Sequence, residues 1–199
     1  MTVAADFTWD LDYDASWFIP LPGASDLARD PATPERWVRA CLEHFADQAI
    51  FGPDQLPAIR ATAEALVAQA RPSQTQLWFA PRGIYSDLLV SISVARSEDA
   101  GTTEELFDGA SLSTAADATP LRTETHGAGY LFRRNGVADG EGSTLVEQWT
   151  VRLNNGSWAI LVDTIGTALP AFVLFEQQLI RLISGIILPP PAPSTSVRG

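Results

Sequence analysis

The stretch from Leu145 to Leu188 constrains this chain more than any other. Two runs of alternating apolar residues meet at Asn155-Gly156, and a long apolar segment begins near Ala168 or Leu169. Asn-Gly is the preferred pair of a two-residue type I′ turn, because both central residues need positive φ and these two tolerate it. Taken as the loop, the pair sets Leu153 opposite Trp158, Val151 opposite Ile160, Trp149 opposite Val162 and Glu147 opposite Thr164. The other face then pairs Arg152 with Ala159, Thr150 with Leu161 and Gln148 with Asp163, mostly polar, as in a sheet wet on one side. A slip of one residue would mix the two faces, so the pattern specifies the register.

The segment that follows reads as a helix. Pro170 suits a first turn, where its missing N–H costs nothing, and Gly185 with Pro189 marks the far end. At about 100° per residue, Phe172, Phe175, Leu179, Leu182, Ile183, Ile186 and Ile187 form one broad apolar arc opposite Gln177, Gln178, Arg181 and Ser184. Glu176 falls inside that arc. It is either a structural carboxylate, favoured by the helix dipole or paired with a sheet arginine, or a functional one with a raised pKa. Glu176, Gln177, Gln178 and Arg181 make membrane insertion costly, so a core helix is expected.

Upstream, residues 7 to 19 alternate Phe7, Trp9, Leu11 and Tyr13 with Thr8, Asp10, Asp12 and Asp14, a period of two that predicts a strand with an acidic face. Trp17, Phe18 and Ile19 continue it, and alternation cannot bury all three on one side. Either both sides are covered or Trp17 and Phe18 belong to an interaction patch. A loop follows from Pro20 to Thr33. Thr33 as N-cap and Pro34 start a helix carrying Trp37, Val38, Cys41, Leu42 and Phe45, closed by Gly52. A second helix, from Pro53 or Pro57 to Ala70, completes an N-terminal pair. Strands are predicted near 75–80 and 85–96, an exposed insertion over 97–119 with a short helix capped by Thr102 and Glu105, and one further strand from Leu121 to about Arg134 with a bulge at Gly127-Ala128-Gly129.

With 199 residues, 46% of them hydrophobic, the chain suits one domain over 1–188 with a disordered Pro/Ser tail over 189–199. A net charge of -11 and a pI near 4.5 argue against nucleic acid and anionic membrane as partners. All 13 basic residues are Arg. Without lysine, Schiff-base chemistry, a Walker site and a protein-kinase site are excluded. Cys41 is the only cysteine, so no intrachain disulfide or multi-cysteine zinc site exists, and it reads as a small buried apolar residue. The first residues lack a basic region followed by an apolar run, so the cytoplasm is the expected compartment.

Catalytic constellations do not assemble from this sequence. His44 lies one helical turn from Cys41, but two ligands without a third make no metal site. His126, beside Glu124, is a general base only if a nucleophile faces it, and no G-x-S-x-G supplies one. Gly127-Ala128-Gly129 lacks the third glycine of a phosphate-binding loop. Asp10, Asp12 and Asp14 begin like a calcium loop, yet Ala15 stands where the loop's sharp turn needs Gly.

The order of elements, helices first, then antiparallel strands, a final hairpin and a long helix ending in Ile186-Ile187, resembles the Mog1/PsbP-like α/β/α sandwich. The likeness covers about the last 80 residues, and it is similar there to small actinobacterial lipoproteins of that superfold; this chain has no lipobox cysteine. The resemblance implies a non-catalytic binding or assembly factor. The expectation is therefore an α+β fold, an antiparallel sheet flanked by helices, without catalytic residues, metal or cofactor. The expected function is a non-enzymatic protein-binding accessory, adaptor or chaperone-like factor of a bacterial assembly or secretion system, its partner another protein, with Trp17, Phe18 and Glu176 as binding residues. The alternative is a small-ligand or lipid-binding domain, its apolar pocket between sheet and terminal helix and Glu176 its polar anchor.

Overall fold

The structure is a computed structural model that describes residues 7–48, 52–71, 74–82, 84–97, 117–138 and 144–190. The fold is α+β and wholly antiparallel in its main sheet. The strands are β1 (Asp10–Leu11), β2 (Phe18–Pro20), β3 (Thr75–Phe79), β4 (Leu89–Arg96), β5 (Asp117–Thr123), β6 (Gly127–Ala138), β7 (Thr144–Asn154), β8 (Trp158–Gly166) and β9 (Ile186–Ile187). The helices are α1 (Ala24–Arg29), α2 (Thr33–Ala46), α3 (Leu56–Ala68), entered through a 3-10 turn at Pro53–Gln55, and α4 (Leu169–Ser184). Among the described residues seven strands form one sheet in the order β2-β3-β4-β8-β7-β6-β5, and β1 pairs with β9.

Helices cover both faces of this sheet. On one, Phe172, Phe175, Leu179, Leu182 and Ile183 of α4 meet Phe18, Leu77, Phe79, Val90, Trp149, Val151, Ile160 and Val162. Five large side chains buried at roughly 2 kcal/mol each hold the helix with on the order of 10 kcal/mol before its ordering entropy is subtracted. On the other face, Val38, Cys41 and Phe45 of α2 and Ile59, Ala63 and Leu66 of α3 close over Trp78, Ala80 and Leu89. Trp78 is fully buried there, and its indole N–H donates to the Ser86 carbonyl at 2.9 Å, which satisfies the one polar atom of the ring. The two-sided cover answers the Trp17-Phe18-Ile19 question: Phe18 joins the α4 core, Ile19 packs with α2 and α3, and Trp17 stacks on Phe79 at 5.9 Å.

The hairpin register differs from the expected one by two residues. Leu153 pairs with Ile160, Val151 with Val162, Trp149 with Thr164 and Asn154 with Ala159, leaving Asn155–Trp158 as the loop. Among the described residues no non-glycine has positive φ, so Asn155 does not adopt a type I′ conformation; Gly156 alone does, at 90°. The asparagine side chains build the turn instead. Asn155 Oδ1 accepts from the N–H groups of Ser157 and Trp158, and Asn154 Oδ1 from that of Gly156. An even shift keeps every side chain on its expected face, so the core composition survives the change of register.

Three other boundaries move for comparable reasons. The strand expected over 7–19 is broken between β1 and β2, where Asp14 Oδ1 accepts from the Ser16 N–H and hydroxyl. The single strand expected from Leu121 to Arg134 is two, β5 and β6, joined at Glu124–His126. There Thr123 Oγ1 accepts from the His126 N–H, and Gly127 takes φ of 79° in place of a bulge. The loop expected after Pro20 contains α1. The capped helix expected at Thr102 and Glu105 and most of the tail lie outside the described residues.

Candidate functional site

Glu176 sits on the eighth position of α4, well past the first turn where the dipole acts. The start of that helix is held by a different carboxylate. Asp87 accepts from the N–H groups of Thr167 and Ala168, each as near as 2.9 Å, and from the Thr167 hydroxyl at 2.5 Å. Glu176 instead forms an ion pair with Arg133 of β6. The Arg133 guanidinium carbon lies 4.4 Å from the centre of the Trp149 ring, and the Trp149 indole N–H donates to Glu147 at 2.5 Å. Arg133 thus joins helix to sheet through a carboxylate on one side and an aromatic face on the other.

This ion pair lies on the shoulder of α4 that faces β6, and exposed apolar side chains flank it. On the helix, Leu169, Val173 and Ile180 share its stripe at steps of three and four residues, with Val173 64% exposed. On the sheet, Val137 and Leu145 are register partners and both exposed. Odd-numbered positions of β6 and β7 face α4, as Leu131, Trp149 and Val151 in the core show, so Val137 and Leu145 belong to the α4 side. Gly166, three residues before α4 begins, pairs with Glu147, so Leu145 projects past the end of β8 toward the start of the helix. The result is a step: helix wall on one side, the strands toward β5 as floor, apolar patches at both ends and Arg133–Glu176 between them.

The sheet edge offers less. Among the described residues β5 is a terminal strand of the sheet, and it carries Pro120, which has no N–H to offer, opposite Tyr130. β2 is the other edge, three residues long and ending in Pro20. Both edges are of the kind that resists strand addition.

Of the binding residues expected from sequence, the structure leaves one at a surface of this kind. Phe18 is 3% exposed and serves the core, a correction that follows from α4 covering its side of the sheet. Trp17 is half-buried on Phe79, on the far flank of α4 from Glu176, so the three residues do not converge. The α4 shoulder is not visible in the sequence: Val137 lies in a Gly/Asp/Glu stretch that reads as a turn, past the strand end expected near Arg134, whereas β6 runs on to Ala138, and Val173 lies outside the apolar arc of the wheel. Asp87 was missed as well, since it lies 80 residues from Thr167.

The remaining titratable candidates are accounted for by packing. Cys41 is buried in the α2–α3 layer, where desolvation pushes its thiol up to about 12, so it is inert. His126 is 4% exposed beneath the end of α4. Its ring nitrogens look toward the carbonyls of Ile183 and Ile186 without a hydrogen bond of normal geometry, and burial, the larger effect, holds its pKa below the usual histidine value. No group of three or more His, Cys, Asp or Glu among the described residues is placed to hold a metal ion. No described helix is long and apolar enough to cross a membrane. Comparison with protein-family models, curated proteins and solved structures finds no match, so the reading of this site rests on the geometry of the step along α4.

Proposed function

We propose that the protein is a non-enzymatic binding module that docks another protein in the step along α4, and that it works as an accessory or adaptor in a larger bacterial assembly. The observation that carries this reading is the grouping of Val137, Leu145, Leu169, Val173 and Ile180, all large, apolar and exposed, around the Arg133–Glu176 pair. Apolar anchors about a central charged pair are the composition of a recognition surface, and singly scattered apolar residues would carry no such meaning. The proline-bearing edges favour an amphipathic helix laid beside α4 over an added strand. Between sheet and α4, where a lipid or metabolite would have to sit, Phe79, Trp149, Phe172 and Phe175 pack tilted or edge-on with ring centroids 5.3–6.1 Å apart, which favours the protein-docking reading.

The test is a photo-crosslinking residue at Val173, with a second placed at Glu35 on the exposed side of α2 as control. A discrete adduct is expected from Val173 and not from Glu35, and Ile180→Glu should remove it. Binding of the purified partner should then fall at least tenfold in the variant carrying Val173→Glu and Ile180→Glu. Identical adducts at both positions, or affinity unchanged in that variant, would refute the proposal.

A further inference from the structure

The step along α4 selects its partner by shape and by charge. Leu169, Val173, Glu176 and Ile180 follow one another on the exposed flank of the helix at steps of four, three and four residues. That is the spacing of a coiled-coil seam, one residue out of phase with the buried set Phe172, Phe175 and Leu179. The helix thus meets the sheet with one seam and presents a second, about 100° around its axis, on the side of β6 and β5.

Those two strands set the width of the occupant. Neighbouring strands lie about 4.8 Å apart, so β6 and β5 add roughly 10 Å of floor beyond β7, the distance at which a second helix packs against a first. On the α4 side of this floor Asp117, Thr119 and Asn135 are exposed.

Three carboxylates border the step against one guanidinium. Asp117 is the register partner of Arg133, and Glu147 that of Asn135, so alternation puts Asp117 and Glu147 on the side where Glu176 meets Arg133. Arg122, Arg134 and Arg152 of β5, β6 and β7 alternate to the opposite face of the sheet. Arg181 reaches Asp14 on the far flank of α4. We propose that the partner's docking element is a basic amphipathic helix: its apolar residues, spaced by three and four, fill the seam between α4 and the Val137–Leu145 patch, and lysine or arginine beside them faces Asp117, Glu147 and Glu176. This rests on the docking function proposed above. The chain's net charge of -11 acts in the same sense at long range, drawing a basic helix in and repelling a second copy of this acidic chain.

The test uses the full chain and three dye-labelled helical peptides that share one leucine seam at the same spacing and carry Lys, Gln or Glu along its margins. Fluorescence anisotropy should show the Lys peptide binding about tenfold more tightly than the Gln peptide, the combined effect of two or three exposed ion pairs, and the Glu peptide more weakly still. Added salt should narrow that difference. Asp117→Asn combined with Glu147→Gln should remove most of the preference for Lys and leave the affinity for the Gln peptide unchanged. Val173→Glu combined with Ile180→Glu separates the seam from the overall field. It makes the surface more acidic, so attraction to net charge alone would strengthen Lys binding, whereas loss of the seam should weaken it about tenfold or more. Stronger Lys binding in that variant would overturn the proposal, as would Gln or Glu peptides that bind the parent as tightly as Lys. Binding of no peptide overturns it too, and the crosslink from Val173 then decides whether the docking function falls with it.

Discussion

Asp87 holds the start of α4 from outside the helix, and its removal tests how the helix is anchored. Two backbone N–H groups at the entry to α4 and the Thr167 hydroxyl all donate to this one carboxylate. Helix entries leave several N–H groups without intrahelical partners, and losing a side-chain cap costs about 1–2 kcal/mol. The negative charge at the positive end of the dipole adds a few tenths to 1 kcal/mol. Asp87→Ala should therefore destabilise by about 2 kcal/mol, which at a urea dependence of roughly 2 kcal/mol per molar moves the midpoint down by about 1 M. Asp87→Asn keeps an acceptor and loses the charge, so its shift should be about half as large. Thr167→Val removes only the hydroxyl bond, and combined with Asp87→Ala it should cost little beyond Asp87→Ala alone, because both act on one network. Equilibrium urea unfolding followed by tryptophan fluorescence measures the parent and the four variants. A midpoint for Asp87→Ala within 0.2 M of the parent, or full additivity with Thr167→Val, would show that Asp87 is not the cap; the 0.2 M threshold is about a fifth of the shift expected from the urea slope.

Gly185 ends α4 and also admits the N-terminal segment. A Cβ there would fall 1.9 Å from the Asp12 carbonyl oxygen, in the place where Asp12 N–H donates to the Gly185 carbonyl at 2.8 Å. Gly185→Ala is expected to cost about 1–3 kcal/mol and to release β1 from β9, seen as faster amide exchange at Asp12. For His126 the sign follows from burial. Its folded pKa lies below the unfolded value of 6.5, so the folded state binds fewer protons, and the stability present above 6.5 is lost as pH falls through the folded pKa. The charged groups nearest in sequence are Glu124 and Arg122, both exposed. His126→Leu should flatten the stability profile between about pH 7.5 and 5.5, a range set by the ordinary histidine pKa. An unchanged slope in that variant would assign the acid sensitivity to other residues.

Much of this fold was legible because side-chain alternation survives errors of register. The hairpin was expected with Leu153 opposite Trp158 and is found with Leu153 opposite Ile160, yet Trp149, Val151, Ile160 and Val162 remain core in both. Period fixes the face, and the turn fixes the partner. Turn chemistry was the weaker guide. Asn155-Gly156 suggests a type I′ turn, but Asn154 beside it offers a second side-chain acceptor, and together the asparagines stabilise a longer loop in which only Gly156 needs positive φ. The same competition, a side chain accepting from a nearby amide, breaks the chain at Asp14 between β1 and β2 and reverses it after Thr123.

The surface was less legible than the core for a physical reason. A helical wheel places Glu176 within an apolar arc but does not state how far the sheet extends beneath each edge of that arc. Here apolar side chains continue past one margin of that arc: Leu169, Val173 and Ile180 emerge beside Glu176, and the carboxylate finds Arg133 two strands from β8. An apolar residue that periodicity assigns to the interior becomes a candidate anchor once its sheet strand ends before it, as β8 does before Leu145. The distinction between core and contact surface in this chain is thus set by relative element lengths. β6 and β7 run past the end of β8, and what they carry beyond it has no covering layer among the described residues. Shortening that overhang by replacing Val137 and Leu145 with Thr should therefore leave the unfolding midpoint nearly unchanged while weakening partner binding; a large loss of stability would place both residues in the core and remove one end of the proposed site.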